Sequence, residues 1–363
     1  MVLEVVLWHV MGSPSAWPGC HVGEVMGRRP YSRRSLNLRS GQQAPEIALE
    51  PGSHLMSFVN AADEERAYFV SVRRHGCCGG SGRLLASSGW LDEHGRKFVS
   101  TNFVVRVAPR EVAKVCTIVG LKRQRDLSVC SDIVPVLPPP TSSGPPLVLG
   151  FPLAPMGAPY RCSQAAGGAL THFAHPSTWH AIDLDAALGT PVVAAADGTI
   201  VGVKDGSDAG GGADTSLFFA FNSLTQLLSD GTTTVEYVHI RARSARVKIG
   251  EVVTKGQMLC ESGDAGFCPT AHLHIEAHHR GREDPAAPSI PIAFACDAHG
   301  KPAFECIAGR WYDPTRGEVP QPTQAMVGDA VAASVRAPPP SGRVTEVDCG
   351  SGGARVIAAE YLY

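Results

Sequence analysis

The residues best equipped for chemistry gather in TAHLHIEAHH, positions 270–279. Read as a strand, the segment puts Ala271, Leu273 and Ile275 on one face and His272, His274 and Glu276 on the other. Two imidazoles at i and i+2 then project together from a strand with apolar backing. That suits one metal ligand beside one acid/base group. A further histidine stands in VEYVHI, 235–240, where alternation predicts Tyr237 and His239 on one side and Val238 and Ile240 on the other. A third piece, HAIDLDAALGTPVVAAADGTIVGV over 180–203, alternates Ile182 and Leu184 with Asp183 and Asp185. It then reads as a strand, a tight Asp-Gly turn and a second strand. Taken singly, each piece is also what an ordinary half-buried strand looks like.

Taken together and in order, they resemble the lysostaphin-type (LytM-like) zinc metallopeptidases. The resemblance rests on Asp183, GTPVVAAADGTIV, YVHI, VKIGEVVTKGQ and HLHIE, in that order, between Gln164 and Glu276. It implies zinc, with Asp183 and His274 as ligands and His239 and His272 as catalytic histidines. A site of two histidines and one aspartate leaves a fourth position for water. Imidazole, with an unperturbed pKa of ~6.5, can hold or release a proton near neutrality. The compact form of the family has a histidine four residues before the aspartate, and here that position is Trp179. His180 is three residues before, so strand parity turns it toward the Ile182 face. The chain instead resembles a variant with a long loop, matched by Gln164, Gly167, Gly168, Thr171 and His172. His172 is then the expected first ligand, with His175 as the alternative that parity in a loop does not separate.

The elements that must position these residues are short strands. The expected fold is all-β, an antiparallel sheet with a groove, preceded by a small β domain. The resemblance adds the duplicated hybrid motif and barrel-sandwich of the peptidase fold. Residues 1–43 read as a flexible leader or poor export signal. PEIALE, HLMSFVN, RAYFVSVRR and KFVSTNFVVRV alternate with period two, predicting a β domain over 44–135. VLPPPTSSGPP makes 136–146 a proline-rich linker. The peptidase-like domain follows over 147–314, and 315–363 reads as a proline-rich tail. The glycine run 209–213 lacks a lysine and a helix start, which excludes a phosphate-binding loop and suggests a flexible cleft rim.

A formal net charge of −2 supplies no basic field for nucleic acid. No window carries the ~18 uninterrupted apolar residues of a membrane-spanning helix. Eleven cysteines without CxxC spacing favour an oxidising compartment, with Cys260–Cys268 and Cys296–Cys306 as plausible pairs. The reading that follows is an exported zinc endopeptidase acting on peptidoglycan stems or cross-bridges. Its alternatives are a non-catalytic wall-binding scaffold or hydrolase activator, and a peptidase of non-wall proteins.

Overall fold

The computed structural model describes residues 47–79, 87–92, 94–123, 127–141, 144–279, 288–296, 302–322, 342–348 and 355–361. The leader expected over 1–43 lies outside them. The chain divides into two units.

The unit that carries the histidines holds 137–208 and the described residues from Phe221 to 322. Its centre is a nine-stranded sheet. Across the sheet the strands run Val252–Val253, Gly198–Lys204, Ser223–Leu228, Thr233–Val238, His272–His279, Ile182–Asp185, Tyr160–Gln164, Trp311–Asp313 and Gly317–Val319. All these neighbours pair antiparallel. Pro191–Val193 pairs with Met258–Glu261, and Leu147–Leu149 runs parallel to Ile292–Phe294. Leu184, Ile200, Leu224, Tyr237, Leu259, Leu273 and Ile275 are fully buried in one apolar cluster. Burying each such side chain stabilises the fold by about 1.5–3 kcal/mol.

Close backbone contact explains one glycine of the Asp-Gly hairpin. A Cβ on Gly198 would stand 2.2 Å from the Leu227 carbonyl oxygen, so nothing larger fits where the hairpin meets its neighbour.

The other unit holds the described residues up to Val136, then 209–220 and the two strands after 340. One sheet runs Ile47–Leu49, Leu55–Val59, Val112–Ile118, Cys77–Gly79. The second runs Gly342–Asp348, Arg355–Tyr361, Lys97–Val107, Arg66–Arg73, Ser128–Pro135, with Ser87–Leu91 also on Lys97–Val107. Met56, Phe58, Tyr68, Val72 and Val105 fill its core.

Three expectations need correction. The stretch 315–363 is not tail throughout, since Gly317–Val319, Gly342–Asp348 and Arg355–Tyr361 are strands. After the last proline-rich stretch, the sequences RVTEV and RVI supply β-branched residues suited to strands. The glycine run 209–213, expected as a flexible cleft rim, is instead tied to a strand, and the residues after it are held in the same unit. Gly210 exchanges backbone hydrogen bonds with Leu91, Phe218 packs edge-on to Phe69 at 5.3 Å, and Arg73 holds the buried Asp214 at 2.9 Å. The cysteine pairs also fail: every described cysteine is a free thiol. Cys260 is in the core strand opposite Val192, while Cys268 lies against His272. The Cys296 thiol donates to the Thr315 carbonyl, and Cys306 instead meets Cys162.

Candidate metal centre

Two strands place the acid and the imidazoles by register alone. Ile182–Asp185 pairs antiparallel with His272–His279 so that Asp183 faces His274 and Asp185 faces His272. Ile182 and Leu184 face Ile275 and Leu273 in the alternate positions and are buried in the core. The apolar residues thus anchor both strands, and a one-residue slip would turn the acids into the apolar core and carry Ile182 and Leu184 to the histidine face.

His172 arrives from a different direction. It opens a 3-10 turn, His172–Ala174, in the loop between Tyr160–Gln164 and Ile182–Asp185. Gln164 organises that loop. Its Oε1 accepts from the Leu170 and Thr171 amides at 3.1 Å each, and its Nε2 donates to Asp183 Oδ2 at 2.6 Å. Gly167 and Gly168 are small of necessity. Their missing Cβ atoms would lie 2.8 Å from the Trp179 ring and 2.9 Å from the Gln164 side chain.

The ligand atoms of His172, Asp183 and His274 all lie within 4.8 Å of one another. Asp183 Oδ1 is 3.2 Å from His172 Nε2 and 2.9 Å from His274 Nδ1. Yet His172 Nε2 and Asp183 Oδ1 are buried without a hydrogen bond of good geometry. They converge on a point instead of bonding to each other. Donors ~2.0–2.2 Å from a tetrahedral zinc stand roughly 3.3–3.6 Å apart, close to these separations. The donor set, two imidazoles and a carboxylate, fits zinc and leaves a position open. The outer nitrogens are spoken for: His172 Nδ1 bonds the Ala165 carbonyl at 3.0 Å, and His274 Nε2 bonds Glu276 at 3.2 Å. Such bonds fix which nitrogen faces the centre of the group.

His239 and His272 complete the group. His272 Nε2 is 3.6 Å from Asp183 Oδ1, and its Nδ1 bonds the Thr270 carbonyl at 2.7 Å. His239 Nδ1 bonds the Ala265 carbonyl at 2.7 Å, and its ring meets that of His272 edge-on at 4.6 Å. Both histidines thereby keep Nε2 available. The parity expected for VEYVHI is corrected here. Tyr237 pairs with Ile275 and lies in the core, while Val238 pairs with His274. His239 comes after the strand's last residue with a φ of 63°, and this left-handed turn brings its ring beside His272.

Electrostatics separate the roles. Burial opposes a charged Asp183, yet the imidazoles of His172 and His272 outweigh it and hold the carboxyl well below its usual range. Burial also opposes charge on His272 and His274. Cys268 and Asp183 override it for His272, and Asp183 and Glu276 for His274, raising each to about 10. The cluster therefore attracts positive charge. His239 goes the other way, lowered far below its ordinary value by burial and by His272 and His274 beside it, so it stands neutral.

The structure thus brings together His172, Asp183, His239, His272 and His274. His175 stays outside the group, its Nδ1 engaged with Ser177 at 2.7 Å. His180 is outside it as well. Cys268, 3.3 Å from His272 Nδ1, and Glu236, opposite Glu276, escaped sequence reasoning. Nothing in a lone cysteine or a strand glutamate signals its neighbour before the register is known.

Comparison with known proteins adds a family match that includes Asp183, His239, His272 and His274. Residues 177–286 match the model of Peptidase family M23. An "Uncharacterized metalloprotease" of Haemophilus influenzae is 33% identical over 101 residues, which is 28% of this chain and 18% of that protein. The chain thus spans less than a fifth of the length of that curated relative. Among solved structures, the catalytic domain of the antimicrobial peptidase lysostaphin from Staphylococcus simulans is 23% identical. It covers 39% of this chain and 86% of its own, with a TM-score of 0.26. The catalytic domain of the prophage-encoded M23 protein EnpA from Enterococcus faecalis is 21% identical, covering 39% and 92%, at 0.27. A zinc-containing peptidase from Vibrio cholerae is 15% identical, covering 52% and 56%, at 0.23.

Proposed function

We propose that the chain, whose residues 177–286 match the model of Peptidase family M23, is a zinc endopeptidase that is exported and cuts peptide bonds in peptidoglycan stems or cross-bridges. The observation that carries this reading is the convergence of His172 Nε2, Asp183 Oδ1 and His274 Nδ1, two of them buried without a hydrogen bond.

In this reading His172, Asp183 and His274 hold the metal. Bound there, zinc supplies Lewis acidity toward a water and toward the scissile carbonyl. The remaining work falls to the chain's own groups. Neutral His239, its Nδ1 fixed on Ala265, presents Nε2 as a base able to take a proton from the attacking water. His272, its Nδ1 held on the Thr270 carbonyl, presents Nε2, which when protonated can steady a developing oxyanion or return a proton to the departing amine. Asp183 orients the set, and Gln164 keeps Asp183 from rotating out of line. The strand pairing holds Asp183, His272 and His274 in place before substrate arrives, which lowers the reorganisation needed during reaction.

Mass spectrometry of purified peptidoglycan incubated with the zinc-loaded full chain tests the proposal. Release of peptide fragments, abolished by a chelator and restored by zinc, is expected. Intact peptidoglycan after incubation with folded, zinc-loaded protein would transfer the proposal to a scaffold role or to a peptide substrate outside the wall.

A further inference from the structure

Behind His274, the site face of the sheet carries a second group of buried polar side chains. Glu276, two residues along the same strand, is fully buried. One of its oxygens lies 3.2 Å from His274 Nε2 and the other 3.3 Å from His278 Nε2. Directly opposite, in register on the neighbouring strand, stands Glu236, 2% exposed, which accepts from the Thr225 hydroxyl at 2.9 Å. Two carboxyls side by side in a protein interior are costly unless something positive or protonated answers them. Glu276 lies against two imidazoles, those of His274 and His278, whereas Glu236 has the Thr225 hydroxyl. The pair is unequal. Only Glu276 touches a residue of the metal centre.

We infer that Glu276 is a positioning residue: flanked by His278 Nε2 at 3.3 Å, it accepts His274 Nε2–H on its other oxygen and so commits Nδ1 to the metal. This rests on the proposed metal site and names the side chain that sets the geometry of one ligand. Glu276 is the acceptor that meets the outer edge of the imidazole among the described residues, and its loss would free that edge. A half-turn of the ring would then turn Cδ2, a carbon with no lone pair, toward Asp183 in place of Nδ1. Carboxylate bonds of this kind raise the basicity of a ligating imidazole, and their loss typically weakens metal affinity about 10–100-fold. Glu236 shares the burial and the strand pairing but bonds Thr225, so it serves as an internal control.

The test compares full-length wild type, Glu276→Gln and Glu236→Gln, each stripped of metal and titrated with Co²⁺ against a competing chelator. Thermal unfolding of the stripped proteins is followed alongside. Expected for Glu276→Gln is ~10–100-fold weaker Co²⁺ binding and an altered visible absorption spectrum of the bound ion. Expected for Glu236→Gln is wild-type affinity and spectrum. Glu276→Gln binding Co²⁺ like the wild type, with the same spectrum, would overturn the inference and leave the metal site standing. A wild type that binds no Co²⁺ would remove the proposed function and this inference together. Should Glu276→Gln not fold, ¹⁵N NMR of histidine-labelled, zinc-loaded wild type decides. A His274 ring with Nδ1 ligated and a slowly exchanging Nε2–H is expected, and ligation through Nε2 would refute the role.

Discussion

Tyr237 and His239 sit two positions apart, yet Tyr237 is buried in the core and His239 meets His272 on the opposite side of the strand. A regular strand would put both on one face. The left-handed backbone at His239, φ 63°, breaks the alternation. For a residue with a Cβ that conformation costs on the order of 1–2 kcal/mol, so the fold carries strain where the chemistry is proposed.

His239→Asn tests that strain against function. Asparagine tolerates the left-handed region, so stability should stay within about 1 kcal/mol of wild type by chemical denaturation. Metal content should be unchanged, and turnover should fall about 10²–10⁴-fold, the usual value of a positioned acid or base. Unaltered turnover would remove His239 from the mechanism.

Gly263 ties His239 to His272, pairing with His272 while packing beneath the His239 turn. A Cβ there would come within 2.6 Å of the Arg241 amide nitrogen and 2.8 Å of the His239 carbonyl oxygen. Gly263→Ala must therefore push backbone, not a pliable side chain. We expect destabilisation of about 1–3 kcal/mol, with a fall in kcat larger than any change in KM. Calorimetry and steady-state kinetics check both.

Gln164 joins the His172 loop to Asp183 through four hydrogen bonds. Gln164→Leu keeps the bulk and leaves two loop amides and a carboxylate oxygen without partners. The expected result is a loss of ~1–3 kcal/mol in stability and roughly 10–100-fold weaker metal binding. Isothermal titration of stripped protein with Zn²⁺ measures the second.

Metal uptake should also release protons. In the metal-free cluster His274 holds its proton up to about 10, through Asp183 and Glu276 acting against burial. Ligation through Nδ1 requires that nitrogen bare, so below that pKa each metal bound must displace a proton. Affinity should fall as pH falls, about tenfold per unit for one proton released. Affinity independent of pH between roughly 6 and 9 would contradict the assignment of His274 as ligand.

The parts legible in the sequence were those governed by strand parity or by an ordered set of motifs. Ile182, Leu184, Leu273 and Ile275 gave away the core face, and with it the shared face of Asp183 and His274. What alternation alone does not supply is pairing register, so Glu236 facing Glu276 was invisible. The φ of His239 was equally hidden, because a histidine carries no local signature of a left-handed turn. His172 and His175 were inseparable by parity, and the Gln164 hydrogen bonds to Leu170 and Thr171 are what aim the loop. The cysteine pairs failed since sequence proximity ignores which strand faces which: Cys260 lies in the core and Cys268 at the histidines.

The most direct measurement is metal content and peptide hydrolysis on one set of samples: wild type as purified, stripped by chelator and reloaded with Zn²⁺, with Asp183→Asn alongside. The account predicts one zinc per chain in the reloaded wild type, hydrolysis that tracks zinc content, and a folded Asp183→Asn with neither. Hydrolysis that persists in stripped protein or in Asp183→Asn would contradict it.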